Sequence, residues 1–420
     1  MDLLVLKQAW EIIHSASFFI YNISFFPVIF FTLYFLTVSL ISIFSRHKNN
    51  YDSKIKEWPF VTIQIPTYNE LIALRCAKSC LKLDYPKDKY EIIIGDDSNK
   101  PEISRKIDEF AKRHGIKVTR RGSNKGFKAG NLNHMLKFSK GEIIVVFDSD
   151  FVPPKNFLKR IVAPFVLDRK VGCVQARWTF LNEKQNLVTR FASGIIMVYQ
   201  KLIAPINNAL SVSLLFGSGQ AVRKDLIERL GGWQEWSLTE DVEFSVRVLK
   251  AGYKIVYLHD LTVKGEVPFT ARDLRKQQRK WAYGNLNAFI DHWKSILFGK
   301  FTLPQKAMLV MTLTGYISSI FLTVFILSGL IYFWTGKPMP FNAAKFLKET
   351  LKSILASSGF LVAMIIVLKK ERKVEMLKHI ILAAFTVGIL VTVGVASGVL
   401  NALLRKRMDW YVIPKKGKVR

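Results

Sequence analysis

GEIIVVFDSD, residues 141–150, is an unbroken apolar run, Ile143 to Phe147, that ends in Asp148-Ser149-Asp150 and is followed by Pro153-Pro154. A short, nearly continuous Ile/Val run suits a strand buried on both faces, hence a largely parallel sheet with helices on either side. VTIQIP at 61–66 and YEIIIGDD at 90–97 have the same form, and helical periodicity fills 102–114 and 128–139. Each run ends in polar or acidic residues. In open α/β sheets ligands sit beyond the carboxyl ends of the strands, so the chemistry is expected there.

Outward from this α/β text, which spans 58–300, the chain turns apolar. Residues 17–44 carry no charge, and about 20 apolar residues cross a bilayer core. The run is too long for a signal-peptide core and lacks a basic start and cleavage site, so it reads as a retained anchor. Arg46, Lys48, Lys54 and Lys56 follow it, which by the positive-inside rule puts the middle domain in the cytosol. Apolar segments return at 308–334, 354–368 and 379–404. The expected organisation is an anchor with basic linker (1–57), an α/β domain with interfacial helices (58–300) and C-terminal membrane helices with a basic tail (301–420). Three C-terminal crossings leave the tail outside, whereas RKR at 405–407 and KKGKVR at 415–420 favour inside. Either one segment does not span or another is missed, with 308–353 the expected place.

The whole chain of 420 residues has 62 Lys and Arg against 32 Asp and Glu, a net charge of +30. The three parts hold +1, +16 and +13. Such an excess raises nucleic acid as a partner, but basic residues flanking long apolar runs fit a membrane protein better, and nucleic acid is set aside. Cys76, Cys80 and Cys173 are too few and too poorly spaced for a metal site, and read as packing residues in a reducing compartment.

Several clusters carry chemistry. Asp148 and Asp150 alternate along an extended chain, so both can face one hard cation; a turn is the bland alternative. Asp96-Asp97-Ser98 is either an Asx turn or a carboxylate for a nucleobase or ribose. Tyr68 and Glu70 lie in the turn after the first strand. Lys125-Gly126-Phe127-Lys128 opens a helix in a manner that suits a pyrophosphate. Thr239-Glu240-Asp241 precedes an amphipathic helix: either Thr239 is its N-cap with acidic first-turn residues, or one carboxylate, Glu240 or Asp241, is a general base. Trp178 and Trp281 are candidate sugar platforms, or simply buried tryptophans.

Taken in order, these motifs resemble the membrane-bound inverting glycosyltransferases of family 2, and in particular the cellulose-synthase-like mannan and glucan synthases. The resemblance covers roughly 58–290. It rests also on VQARWTF (174–180), GGW (231–233), TEDVEFSVRVLKAGYK (239–254), DLTVKGEVP (260–268), the Gln277-Gln278…Trp281 element and DWYVIPKKGK (409–418). It implies a Rossmann-like GT-A domain, mainly of parallel sheet, that takes a nucleotide sugar (UDP- or GDP-linked) with Mg2+ or Mn2+. Asp97, Tyr68 and Glu70 would hold the nucleoside and Lys128 the phosphates; Asp148 and Asp150 would meet donor and metal. Asp241, beside Glu240, would be the base. Trp178, Gly217, Ser218, Gln277 and Trp281 would line the acceptor end. Relatives usually read QxxRW; here Lys280 stands at the arginine position with Arg279 before it, so either Arg279 has taken over the phosphate contact or binding is altered. Phe216-Gly217-Ser218-Gly219-Gln220 departs from the cysteine-containing motif of cellulose synthases.

The resulting expectation is an integral plasma-membrane enzyme, catalytic domain in the cytosol, that extends a β-linked polysaccharide. Transfer of a single sugar to a lipid acceptor is the enzymatic rival. A transporter or channel subunit without chemistry is the other, and the acidic series speaks against it.

Overall fold

The computed structural model describes residues 3–44, 51, 55–336 and 343–415. The expected cationic flank Arg46, Lys48 and Lys54, and the tail beyond Lys415, lie outside the described residues. Chain order begins with helix α1 (Leu3–Phe44) and enters an α/β region: β1 (Val61–Thr67), α2 (Ala73–Cys80), β2 (Tyr90–Asp96), α3 (Pro101–His114), β3 (Lys117–Thr119), α4 (Phe127–Leu136), β4 (Ile143–Val146) and α5 (Phe157–Leu167). Then come β5 (Val171–Phe180), α6 (Leu187–Val198), α7 (Ala204–Ala209), β6 (Gln220–Arg223), α8 (Lys224–Arg229), α9 (Glu240–Lys250), β7 (Lys254–Gly265) and α10 (Ala271–Phe298). Among the described residues there follow α11 (Leu303–Thr314), α12 (Ser318–Thr335), α13 (Ala343–Ser357), α14 (Gly359–Lys370), α15 (Leu377–Ala383) and α16 (Ile389–Leu403).

The strands form one seven-stranded sheet, ordered β3-β2-β1-β4-β6-β5-β7, parallel except for β6. The mainly parallel sheet expected from the Ile/Val runs is present, and the reason is visible in the cores. Ile143 and Val145 join one apolar cluster with α2, α3 and α5, while Ile144 and Val146 join a second with α4, α8 and α9. Successive side chains of a strand point to opposite faces, so a strand roofed on both sides must be apolar throughout. The parallel strand ends, together with the turn before β6, converge on one edge of the sheet. Cys76, Cys80 and Cys173 are free and buried, as packing residues.

Among the described residues four helices are long and apolar enough to cross a membrane: Leu4–Phe44, Leu187–Ala209, Leu303–Thr335 and Val374–Leu403. α12 runs antiparallel to α1, with Trp10 Nε1 donating to Thr335 O at 3.0 Å and the Tyr21 and Phe325 rings stacked at 4.7 Å. α14 runs along the other end of α1, with Gly359 packed on the Thr32 backbone and Lys370 donating to Ser42 Oγ at 3.1 Å. α13 and α14 together extend the expected 354–368 segment upstream, with a break at Ser358.

The 374–403 segment behaves differently. Before it, Glu371 pairs with Arg177 of β5 (3.4 Å) and with Lys201 of the 187–209 segment, and Lys373 with Glu183, just after β5 (2.8 Å). After it, Arg405 pairs with Asp291 of α10 at 2.7 Å and Tyr411 donates to Asp273 at 2.8 Å. Between these ties α16 lies along α10, where Gly394 and Gly398 admit Arg275 and the backbone oxygen of Arg279 so closely that a Cβ would stand 2.3–2.4 Å from them. Leu187–Ala209, unmarked as apolar in the sequence reading, is mostly buried between the sheet domain and α14 and α15.

Candidate active site

The converging strand ends and the tail enclose a cleft lined by Tyr68, Glu70, Asp97, Lys128, Asp148, Asp150, Trp178, Gly217, Glu240, Asp241, Gln277, Lys280 and Trp281. Thirteen of the residues picked from the sequence therefore meet in one place. Arg279 and Ser218 do not face it. One residue along a helix turns a side chain by about 100°, so Lys280 faces the cleft while Arg279 packs against Gly398 of α16. Arg279 is thus not in place to substitute for the expected arginine contact. Ser218 is fully buried: its Oγ accepts from Asp148 N (2.9 Å) and its carbonyl from Trp178 Nε1 (2.8 Å), so it supports the wall rather than meeting a sugar.

On one side of the cleft β4 stops at Val146, and Asp148–Asp150 form a turn closed by Phe151 N donating to Asp148 O at 3.0 Å. Strand alternation therefore does not align the two carboxylates, contrary to expectation; the turn brings them to the cleft. Asp148 pairs with Lys128 at 2.7 Å, and Asp150 with Lys415 at 2.7 Å while accepting Glu266 N at 2.8 Å. Ser149 Oγ donates to Glu70, and Lys415 lies 3.4 Å from the same carboxylate. Both aspartates thus already attract a cation. Among the described residues no three or more His, Cys, Asp or Glu side chains form a metal cage. An all-oxygen pair fits a hard divalent cation that completes its shell from substrate phosphates and water.

Asp96 makes the Asx turn, accepting from Ser98 N at 3.1 Å, and pairs with Arg120. Its neighbour Asp97 lines the cleft, with its carboxylate gripped by Arg121 at 2.7 and 3.0 Å; burial pushes it up, against the pull of Arg121. The helix entry at Gly126-Phe127 takes two left-handed residues, φ +68° and +48°. A left-handed aromatic is unusual, and here Phe127 stacks on Trp410 of the tail at 5.4 Å. Lys128, in the first turn of α4, points at the carboxylates of Asp148 and Glu240 (3.3 Å) and donates to the backbone carbonyl of Gly217 at 2.6 Å. Burial disfavours its charge, but Asp148, Glu240 and Asp241 outweigh burial and hold its ammonium well above the usual range.

Across the cleft Asp241 sits in the first turn of α9. Burial first, then the Glu240 charge, push its carboxyl up to about 7, with Lys128 opposing. Thr239 occupies the N-cap position but makes no capping bond; its hydroxyl is buried against Gly284 of α10. The N-cap reading of this triplet therefore explains little of it. Gly217, at φ +85°, lies where a Cβ would be 3.1 Å from Lys128 Nζ and 3.2 Å from Asp241 Oδ2, so the turn needs glycine on both counts. Trp178 packs with Trp281 (6.5 Å) and Phe216 (5.8 Å) as an aromatic wall above the acids.

The sequence reading missed the residues that close the cleft. Arg121 grips Asp97, and Glu266, paired with Arg75, donates its N–H to Asp150. The tail returns from α16 across the cleft: Trp410 lies under Lys280 Nζ (4.2 Å) and Tyr411 under Lys276 Nζ (3.5 Å), and Lys415 reaches Asp150. Burial pushes the Lys280 ammonium down. The adjacent Trp410-Tyr411 followed by the lysines from Lys415 was the available signal.

Residues 143–366, from the start of β4 into α14, match the model of the Glycosyl transferase family group 2. The chain belongs to this family. The family 2 match contains the Asp148–Asp150 turn, the Glu240-Asp241 pair and the Gln277–Trp281 helix, so the expectation of that family is borne out. The chain is 36% identical over 244 residues to probable glucomannan 4-beta-mannosyltransferase 7 of Oryza sativa subsp. japonica, covering 56% of this chain and 42% of that one. It is 34% identical over 254 residues to probable glucomannan 4-beta-mannosyltransferase 1 of Arabidopsis thaliana, covering 58% and 46%. The chain spans less than half the length of these curated relatives. A mannosyltransferase from Pyrobaculum calidifontis, solved with GDP-Man and Mn2+, shares the fold over 94% of this chain and 100% of its own, with a TM-score of 0.65 at 18% identity.

Proposed function

We propose that this family 2 chain is a membrane-embedded inverting glycosyltransferase that moves a hexose from a nucleoside-diphosphate sugar to a hydroxyl of a growing β-linked polysaccharide. The relatives' names favour mannose, and the GDP-Man of the solved neighbour favours a GDP-linked donor. The supporting observation is the pairing of a cation-attracting turn, Asp148–Asp150, with a buried carboxylate, Asp241, across one cleft under an aromatic wall.

In this reading Asp97 and the turn around Tyr68 bind the nucleoside. Asp148 and Asp150 hold a divalent cation, Mn2+ as in the neighbour or Mg2+, which when bound offsets the charge of the diphosphate. Asp241 takes the proton of the acceptor hydroxyl as its oxygen bonds to the anomeric carbon; the bond from that carbon to the diphosphate breaks, and its electron pair leaves with the nucleoside diphosphate. Attack opposite the leaving group turns an α-linked donor into a β-glycoside. Lys128, shared between Asp148 and Glu240, keeps the acids from repelling one another. Trp178, Trp281 and Gln277 orient the acceptor. Trp410–Lys415 form part of the cleft wall, which encloses about 210 Å3 of free space.

The domain faces the cytosol of the plasma membrane, with α1, α11–α12 and α13–α14 as crossings. A helix that crosses a core of about 30 Å puts its ends on opposite sides; both ends of 374–403 are tied to one domain, so this segment lies in the membrane plane. That returns the basic tail to the cytosol and resolves the odd helix count without a missed crossing in 308–353. The test is incubation of purified membranes with labelled GDP- and UDP-sugars and Mn2+ or Mg2+, followed by product sizing and linkage analysis. Cation-dependent incorporation into long β-linked products is expected; a product of one added sugar moves the reading to a lipid acceptor, and no turnover of any donor overturns it.

A further inference from the structure

Glu243, two residues past Asp241 on α9, is 2% exposed and takes no part in the cleft. Its carboxylate accepts from Arg247 at 2.7 and 2.9 Å and from His292 Nε2, on α10, at 3.0 Å. A carboxylate can only accept here, so this ring nitrogen carries the proton. His292 and Arg247 together pull the Glu243 carboxyl below its usual range, against its burial. Arg247 goes on to bond the Leu230 and Gly232 carbonyls, while Ser245 donates to Asp241 O (2.7 Å) and accepts from Leu215 N (2.8 Å), just before the Phe216-Gly217 turn. These contacts fix α9 to the sheet domain. Two others fix it to α10: Thr239 against Gly284, where a Cβ would stand 2.3 Å from the Thr239 hydroxyl, and Glu243 with His292. Gly284 and His292 are about two turns apart, and Asp241 lies between their partners on α9. The same α10 carries Gln277 and Trp281 into the cleft.

We propose that His292 is a positioning residue: its bond to Glu243 sets the distance between the helix that carries the base, Asp241, and the helix that carries the acceptor contacts, Gln277 and Trp281. The inference rests on the reading of the cleft given above. Arg247 neutralises Glu243 with or without His292, so removing the imidazole leaves no bare buried charge. What is lost is the link between helices. Since a displacement of 1 Å can cost about a hundredfold in rate, a smaller drift of α10 is expected to cost about tenfold.

The experiment compares His292→Leu with His292→Gln, whose amide nitrogen can reach the place of Nε2, in the full-length protein in membranes. His292→Leu should lower kcat about tenfold with the donor KM within about twofold, and raise the fraction of donor hydrolysed without transfer. His292→Gln should restore most of both. Wild-type kcat and partition in His292→Leu, equal impairment of the two variants, or a loss carried by donor KM overturns the role. Should His292→Leu fail to fold, His292→Asn, whose shorter amide cannot reach Glu243, takes its place in the same comparison. Asp241→Asn measured alongside separates the failures: if it keeps its rate the reading of the cleft falls, and if it loses its rate while His292→Leu keeps it, only the positioning role falls.

Discussion

Two acidic turns face each other across the cleft, Asp148–Asp150 after β4 and Thr239–Asp241 at the start of α9, and as strings of residues they look much alike. Their surroundings differ. The Asp148 side chain is 30% exposed, and it and Asp150 each hold an ammonium, Lys128 and Lys415. Asp241 is buried beside Glu240, and its carboxyl is pushed up to about 7. One turn sets its carboxylates against ammonium groups; the other buries a carboxyl beside a second acid, which makes its charge costly. The same side chain serves either purpose according to burial and neighbours.

The sharpest way to break this contrast is to exchange carboxylate for amide at the buried turn. Asp241→Asn should cut transfer by about 10²–10⁴ while donor affinity, measured by calorimetry with Mn2+, stays near that of the wild type. Asp150→Ala should do the converse and weaken cation-dependent donor binding by at least about tenfold; equal affinity with and without Mn2+ in wild type and variant would remove the cation from this turn. Less severe is the pH response. Asp241 must lose its proton to act as base, so kcat/KM should rise with pH through about 7. Glu240 is part of what raises Asp241, so Glu240→Gln should move that midpoint down. The smallest effect is expected from Lys415→Ala. Its ammonium and a divalent cation compete for Asp150, so the variant should bind Mn2+ somewhat more tightly in a titration without donor.

Legibility followed the range of the interactions. β1, β2 and β4 could be read from their Ile/Val runs because burial on both faces is written into every residue of the strand. β5 and β7 could not: Val171 pairs with Lys254 and Trp178 with Val263, partners far along the chain, and antiparallel β6 is wedged beside them. Arg279 and Lys280 were indistinguishable as neighbouring cations until α16 took one face of α10. Hydropathy alone made 379–404 a crossing; that Glu371 before it pairs with Arg177 and Arg405 after it with Asp291 could be seen only in the fold. The His292–Glu243 link had no signal in residue type or spacing, because it joins two helices across 49 positions.

The order of residues by itself determined the mainly parallel sheet, the acidic strand ends, the apolar character of both termini and the family, all of which depend on patterns within a few residues. Only the tertiary structure decided that Lys280 rather than Arg279 faces the cleft, that the tail lies across the Asp148–Asp150 end of it and that burial pushes the Asp241 carboxyl up to about 7. Each of these depends on which elements pack together: the face of α10 that α16 covers, the return of the tail over the cleft, and the burial of Asp241.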